Sequence, residues 1–339
     1  MTQQACSSVA DGAVSRFGHS RGSVHGGHRR AVRTRAMAHP STPDPEVSSS
    51  RRAFLISGAS VASSVVPTMA PARAESAASV DTLQRSLVAA YEVQDFTAAL
   101  DALRQLRQLE PEELRWIEAD ATISTDRKDF TRALKAYDAA YELARGDAGA
   151  EARILNGRAL AREGIYDWPS ALTDYDEVLR LAETNGFAPD PYVLNSRGNV
   201  RGSLGRWNDA KDDYESAGDL FQNAKGFRNS ASTTQRLDGA IYAYSNKALA
   251  TAQLGDEAGA LKQLEALTRR APNSADVRAA AAALYYSAGR FGDAEDAWER
   301  ACSREAGCAK YKDLDYVRRI RRWPPAMVDK LSKFLSLKR

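Results

Sequence analysis

Six alanines recur along the chain at similar intervals, and their surroundings recur with them. They are Ala99, Ala133, Ala171, Ala210, Ala260 and Ala294. An aromatic residue precedes five of the six by three positions, and a bulky residue follows each by four. The shortest intervals are about 34 residues, a period typical of a solenoid of helix–turn–helix units, and the other intervals are somewhat longer. The small side chain allows two helices to approach closely, and the bulky neighbours fill the space around them.

A second small residue precedes most of these alanines by twelve positions, for example Ala121 and Gly198. In the third unit we expect a turn two residues longer than the others, which places Gly157 at this position. Pro111 and Pro272 follow an alanine by twelve residues and end a helix, since proline lacks the N–H that the helix needs. Chance recurrence in a generic helical bundle is the alternative.

This combination of turn, aromatic and alanine resembles the tetratricopeptide repeat (TPR) family. The resemblance implies an all-α, right-handed superhelical solenoid of about six TPR-like helical hairpins over residues 75–308. Residues 309–339 follow the repeats, and we expect basic C-terminal capping helices there, because the last unit of a solenoid must cover its apolar face.

Residues 1–74 have a different composition from the rest of the chain. They hold nine arginines, all four histidines and three acidic residues, and an arginine-rich, acid-poor composition is typical of organelle transit peptides. Arg51 and Arg52 precede Phe54-Leu55 and a run of small residues, which resembles a twin-arginine export signal. A disordered tail with a chance arginine pair is the alternative.

Two targeting segments in tandem predict a destination inside a chloroplast. We expect a disordered chloroplast transit region over 1–49 and a twin-arginine lumen-targeting signal over 50–74, with cleavage after Ala74. This arrangement resembles that of plant and algal thylakoid-lumen TPR proteins. It predicts localisation in the chloroplast thylakoid lumen by the twin-arginine route.

Residues 75–339 contain no histidine, 38 basic residues and 41 acidic ones. The absence of histidine removes the commonest general base and metal ligand, and it excludes Ser-His-Asp and Cys-His catalytic arrangements. An acidic body without interleaved aromatic and basic residues disfavours nucleic-acid binding. We therefore predict no catalytic activity, cofactor, metal site, nucleic acid or small-molecule substrate. An enzyme that uses only carboxylates is the alternative, and it would require paired acids with raised pKa values in a deep pocket.

The inner groove of the predicted solenoid is the natural binding surface. One subtype of the family grips a C-terminal carboxylate with lysine, asparagine and arginine at fixed repeat positions. Asn199 and Asn246 stand at the two asparagine positions, but Asn195, Asp276 and Ala280 replace the cationic residues, so we do not expect carboxylate gripping. The candidates for peptide contacts are Arg153, Asn195, Arg197, Asn199, Arg201 and Asn246. A role in groove polarity or capping is the alternative for the asparagines.

Two further segments are candidates for binding. The interruption over 221–237 is polar and basic, with Lys225, Phe227 and Arg228; it is either a binding flap or a disordered loop. Residues 304–339 hold 11 basic and four acidic residues, which suggests contact with an acidic protein patch or an anionic membrane surface. The basic patch that we single out comprises Arg318, Arg319, Arg321 and Arg322.

Two cysteines remain after the leader, Cys302 and Cys308. A helix end that folds back on the next loop would bring them within disulfide distance, and the lumen tolerates disulfides. Unpaired buried thiols are the alternative.

Together these features predict a non-catalytic protein–protein interaction scaffold in the thylakoid lumen. The resemblance implies clients among photosynthetic membrane complexes during assembly or maintenance, such as photosystem subunits or assembly factors. The alternative is a redox-responsive, membrane-peripheral adaptor that docks on the thylakoid membrane through its basic C-terminal segment.

Overall fold

The structure, a computed structural model, describes residues 71–223, 233–303 and 307–337. Helices dominate these ranges, and no strand occurs within them. The predicted transit region 1–49, most of the predicted signal 50–74, and Lys225, Phe227 and Arg228 lie outside the described residues. Ala74 lies in the first turn of the first described helix.

Twelve consecutive helices form six hairpins in the described ranges. They are α1 Pro71–Glu92, α2 Phe96–Leu109, α3 Leu114–Asp126, α4 Phe130–Ala144, α5 Ala148–Gly164, α6 Trp168–Thr184, α7 Pro191–Ser203, α8 Trp207–Asn223, α9 Thr233–Gln253, α10 Glu257–Arg270, α11 Ala275–Ser287 and α12 Phe291–Ala301. Each helix packs on the next along the chain, which confirms the predicted all-α repeat solenoid. Helices α8 and α9 extend into the predicted interruption 221–237 from both sides.

All six turns within hairpins have three residues, and the middle residue of each adopts the left-handed conformation with φ between 61° and 95°. These middle residues are Gln94, Lys128, Tyr166, Gly205, Gly255 and Gly289. In four hairpins an aspartate follows and caps the second helix. Asp129, for example, accepts a hydrogen bond from the Arg132 N–H at 3.2 Å. The uniform turn aligns the two helices of every hairpin in the same register.

The uniform turn length corrects one expectation from the sequence. The third turn has no extra residues, so Ala159 and not Gly157 lies twelve positions before Ala171. Ala159 is buried, and Gly157 instead lies against the Tyr137 ring of the preceding hairpin.

The six alanines that mark the repeat have no exposed surface at all. Tyr137, Tyr175, Tyr214 and Trp298, which follow four of them, are buried as well. The core is therefore a series of close helix–helix contacts at small residues, and large side chains fill the space on either side of each contact, as the repeat pattern predicts.

The C-terminal region adds three short elements to the solenoid: a 3₁₀ helix over Cys308–Lys312, a π-helical turn over Tyr316–Ile320, and helix α13 over Pro325–Leu335. Helix α13 packs on α9 and α11, the first helices of hairpins five and six. Its Phe334 also lies beside Trp298 of α12, with 5.6 Å between ring centroids. Met327, Val328 and Leu331 of α13 belong to the core of the last two hairpins.

Two glycines offer a test of the close helix packing. A Cβ atom on Gly198 would lie 2.6 Å from Cε1 of Tyr214, whereas a Cβ atom on Gly292 would meet nothing within 4 Å. We expect Gly198→Ala to lower the free energy of unfolding by about 1–3 kcal/mol, because the buried ring has no space to move. Gly292→Ala is the control, and it should raise that free energy by up to about 1 kcal/mol because alanine favours helix. Urea denaturation measures both, and a Gly198→Ala chain as stable as the Gly292→Ala chain would contradict the packing.

Candidate functional site: the inner groove

First helices of several neighbouring hairpins pack against each other on one face of the solenoid. They contact each other across hairpins, α3 with α5, α7 with α9 and α9 with α11, so they lie side by side along the inner surface. A segment of the chain itself lies on this face. We call residues 307–324 the strap, which connects α12 to α13.

The strap's Arg321 is buried in the groove, with 5% of its surface exposed. Its Nε and Nη2 atoms donate to the two carboxylate oxygens of Asp276 at 2.9 and 2.6 Å. Nη1 donates to the Tyr242 hydroxyl at 2.9 Å, and Nη2 also donates to Asn246 Oδ1 at 3.2 Å. The guanidinium carbon lies 4.4 Å from the centre of the Tyr242 ring. A guanidinium with a bidentate carboxylate and an aromatic face is a specific arrangement that an ammonium group does not reproduce.

Asp276 is the centre of this cluster. It also accepts hydrogen bonds from Ser245 Oγ at 2.9 Å and from Trp323 Nε1 at 3.1 Å. Burial raises the pKa of Asp276, but the charge of Arg321 and the hydrogen bonds outweigh burial and hold that pKa below its usual value. Asp276 is therefore an anion that the strap stabilises.

The next strap residue, Arg322, reaches hairpin three. Its guanidinium pairs with the Glu163 carboxylate at the end of α5, which is 2% exposed, and lies 5.1 Å from the centre of the Trp168 ring. Glu163 also accepts a hydrogen bond from the Tyr175 hydroxyl. Arg322 adopts φ +51°, an uncommon conformation for a non-glycine residue that is associated with functional constraints. Two adjacent arginines thereby reach two acids that belong to different hairpins.

The three predicted groove asparagines are buried on this inner face. Asn246 Nδ2 donates to Asn195 Oδ1 at 3.1 Å, while Asn246 also accepts from Arg321. Asn199 Oδ1 accepts from the Tyr214 hydroxyl at 2.9 Å. The structure thus brings Asn195 and Asn246 together beside Arg321, and Asn199 supports the packing of α7 on α8.

Arg197 and Arg201, which we predicted as peptide contacts, instead connect helices. Arg197 lies 2.7 Å from an oxygen of Asp213 and 2.8 Å from one of Asp176, and Arg201 lies 2.8 Å from Asp213. Burial raises the pKa of Asp213, with both arginines acting in the opposite direction. Both guanidinium groups pair with carboxylates of neighbouring helices, and a peptide contact by these two arginines stays a prediction.

The same ionic arrangement occurs one hairpin earlier. Arg158 lies 2.7 Å from Asp174 and 2.8 Å from Asp138, and Arg162 lies 2.6 Å from Asp174. These pairs therefore repeat in two successive units and connect hairpins three and four to their predecessors.

The remaining predicted groove residue, Arg153, lies nearer the N-terminal end. It forms a bidentate pair with Glu118 of α3, with Nη2–Oε1 at 2.9 Å, and 47% of its side chain is exposed. Burial raises the pKa of Glu118, and Arg153 opposes that shift.

The basic C-terminal patch does not form one exposed surface. Arg318 and Arg319 are exposed, and Arg319 pairs with Asp315 at 2.8 Å. Arg321 and Arg322 lie in the groove, so the patch predicted from the sequence is divided between the two sides of the strap. Asp276 and Glu163, which bind these two arginines, were not among the predicted site residues.

A disulfide fixes the start of the strap. Cys302 and Cys308 are bonded, with their Cα atoms 4.6 Å apart, and Gly307 between them adopts φ +71°. The bridge holds the strap next to the end of α12.

Two kinds of feature do not occur among the described residues. No group of three or more His, Cys, Asp or Glu side chains there is placed to hold a metal ion. No helix in the same ranges is long and apolar enough to cross a membrane.

Comparison with known proteins identifies the fold. No protein-family profile matches the sequence, and no curated protein matches it. A tetratricopeptide repeat protein from Parabacteroides merdae is similar over 76% of this chain and 99% of that chain, with a TM-score of 0.52 and 17% sequence identity. The apo form of RapI is similar over 77% of this chain and 95% of that chain, with a TM-score of 0.52 and 11% identity. The chain has a TPR-like solenoid fold.

The buried ion pair of the strap makes a prediction about stability. We expect Arg321→Ala to lower the free energy of unfolding by about 3–5 kcal/mol, since it leaves the buried Asp276 without its guanidinium partner. Arg318→Ala removes the same charge from an exposed position and should change it by no more than about 0.5 kcal/mol. Thermal or urea denaturation compares the two chains. Equal effects would show that Arg321 is not held in the groove as described.

The lowered pKa of Asp276 predicts how strap docking depends on pH. A carboxyl group whose pKa is lower in the folded state stabilises that state above its unfolded pKa of about 3.9, and the contribution is lost as the pH falls through the folded value. We therefore expect the strap to stay docked from pH 7 to pH 5. The indole N–H resonance of Trp323 in an NMR titration measures this, with the Trp298 resonance as the control. A shift of the Trp323 resonance alone between pH 7 and pH 5 would contradict the assignment.

Proposed function

We propose that this chain is a non-catalytic protein–protein interaction scaffold that presents its inner groove to segments of client proteins. The observation that supports it is the strap itself. The inner face already holds a polypeptide segment by burying its arginine and tryptophan side chains against groove residues. A surface that binds a segment of its own chain in this way has a suitable shape for peptide recognition. It also has the hydrogen-bond donors and acceptors that such recognition needs.

We further propose that the scaffold acts in the chloroplast thylakoid lumen and is delivered by the twin-arginine route. The composition of residues 1–74 and the Arg51-Arg52 pair support this location. The Cys302–Cys308 disulfide is compatible with it, because disulfides persist in oxidising compartments. The clients would be photosystem subunits or their assembly factors.

The geometry favours the scaffold over the membrane-peripheral adaptor. An anionic surface attracts exposed cations, and the pairing of Arg321 and Arg322 with groove acids withdraws two of the four patch arginines from such a contact. The described cations of this segment that face solvent are Lys312, Arg318, Arg319 and Lys333, and Arg319 is paired with Asp315. The segment therefore offers fewer exposed charges to an anionic membrane than its sequence suggests.

Import of a tagged precursor into isolated chloroplasts, followed by chemical cross-linking, tests the proposal. We expect a product that begins at Glu75, that is protected from protease inside the thylakoid, and that cross-links to other proteins. The conservative variant Arg51→Lys/Arg52→Lys should stay in the stroma, because twin-arginine signals are read by receptors and not by charge alone.

The two halves of the proposal fail separately in this experiment. Arrival of the Arg51→Lys/Arg52→Lys chain in the lumen would overturn the targeting route. A lumenal wild-type product without cross-linked partners would overturn the scaffold.

A further inference from the structure

We propose that the groove of hairpins three to six is a binding site for a partner segment that contains two adjacent arginines followed by an aromatic residue, and that the strap is a built-in competitor for this site. The inference rests on the proposed scaffold function and names the chemistry of the client. The strap's Arg321, Arg322 and Trp323 show how such a segment is held.

The first support is the charge of the groove. Asp276 and Glu163 are buried on the inner face, one in hairpin six and one in hairpin three. Burying an ionised carboxylate is costly unless an opposite charge and hydrogen bonds compensate it. With the strap removed, the same face would present two carboxylates, so its natural ligands are cationic.

The second support is geometry that selects a guanidinium. Arg321, the first arginine of the buried pair, meets a bidentate carboxylate, an amide oxygen from Asn246, and both the ring and the hydroxyl of Tyr242. Planar, five-donor arginine satisfies all of these, whereas lysine does not. This is the opposite of the carboxylate-gripping arrangement, since an acid stands at Asp276 where that subtype has a lysine.

The third support is the spacing of the anchors. Arg322, the second arginine of the buried pair, reaches Glu163 and lies over the Trp168 ring. The following Trp323 is buried, donates to Asp276, and lies 5.9 Å from the Tyr311 ring. Arg321 and Trp323 thus share Asp276, while Arg322 uses Glu163 and Trp168. Two acids at this spacing define a short recognisable sequence and not a general affinity for basic segments.

The strap is placed to be displaced as a unit. The Cys302–Cys308 bridge tethers its start and α13 tethers its end, so a displaced strap remains attached. An intramolecular competitor lowers the apparent affinity for an external segment by the fraction of molecules in which the site is open. Removing the strap's own arginines should therefore reveal the site.

Fluorescence anisotropy with a labelled peptide of residues 317–326 tests the site. We expect this peptide to bind the full-length Arg321→Ala/Arg322→Ala chain at least about tenfold more tightly than the wild-type chain, because the competitor is disabled. Adding Asp276→Asn should weaken binding by about tenfold or more, through loss of the bidentate contact. Glu299→Gln, which removes an exposed acid from α12, is the matched control and should leave the affinity unchanged.

A second peptide with lysine at the positions of Arg321 and Arg322 measures specificity. We expect it to bind about tenfold more weakly. Equal affinity for both peptides would show attraction by charge alone and would overturn the proposal.

Circular dichroism checks that the double variant is folded. We expect it to fold, because water reaches Asp276 and Glu163 once neither arginine holds the strap in the groove. If the variant does not fold, hydrogen exchange on the wild-type chain replaces it. Saturating peptide should speed amide exchange in residues 313–324 while the hairpins stay protected, and unchanged exchange in the strap would overturn the proposal.

Two outcomes separate this inference from the scaffold function. If the peptide fails to bind while lumenal cross-links persist in the Arg321→Ala/Arg322→Ala chain, the scaffold stands and the arginine site does not. If wild-type chains form dimers at high concentration and the double variant does not, the occupant is a second copy of the strap, and the proposed foreign client is wrong.

Discussion

The structure depends on how closely two helices of a hairpin approach at one buried alanine. That contact fixes the distance between the helices, and the three-residue turn with its left-handed middle residue fixes their register. Since every hairpin has the same turn, the first helices align on one side. A groove that holds the strap exists only because that alignment persists from hairpin three to hairpin six.

The hairpins were predictable because their signals are local. Turn, aromatic and alanine lie close together in the sequence, so their recurrence specifies each unit without knowledge of its neighbours. The strap was not predictable in this way. Arg322 and Glu163 are 159 residues apart in sequence, and no local pattern encodes a contact over that distance. The sequence did contain two separate hints, an acid at Asp276 where the related subtype has a lysine, and an arginine pair before Trp323.

The groove candidates on α7 divide into two sets by helical geometry. Asn195 and Asn199 are four residues apart on α7, and so are Arg197 and Arg201, but the two pairs are offset by two residues. An offset of two rotates a side chain by about 200° around a helix, so both pairs cannot face the groove. The asparagines face the groove side, and the arginines face the carboxylates of α8 and of the preceding hairpin. The sequence pattern alone did not separate the two sets, because both lie on the same short helix.

The uneven charge of the sequence now has a structural explanation. The basic C-terminal segment and the acidic body suggested an external anionic partner, yet two of the arginines are neutralised within the molecule. An internal pair of this kind does more than stabilise the fold, since a buried ion pair is often no more stable than an apolar replacement of similar volume. Its distinguishing property is specificity, because Asp276 and Glu163 are both compensated only by a segment that places one positive charge beside each carboxylate. The same specificity that positions the strap would select the segment that replaces it.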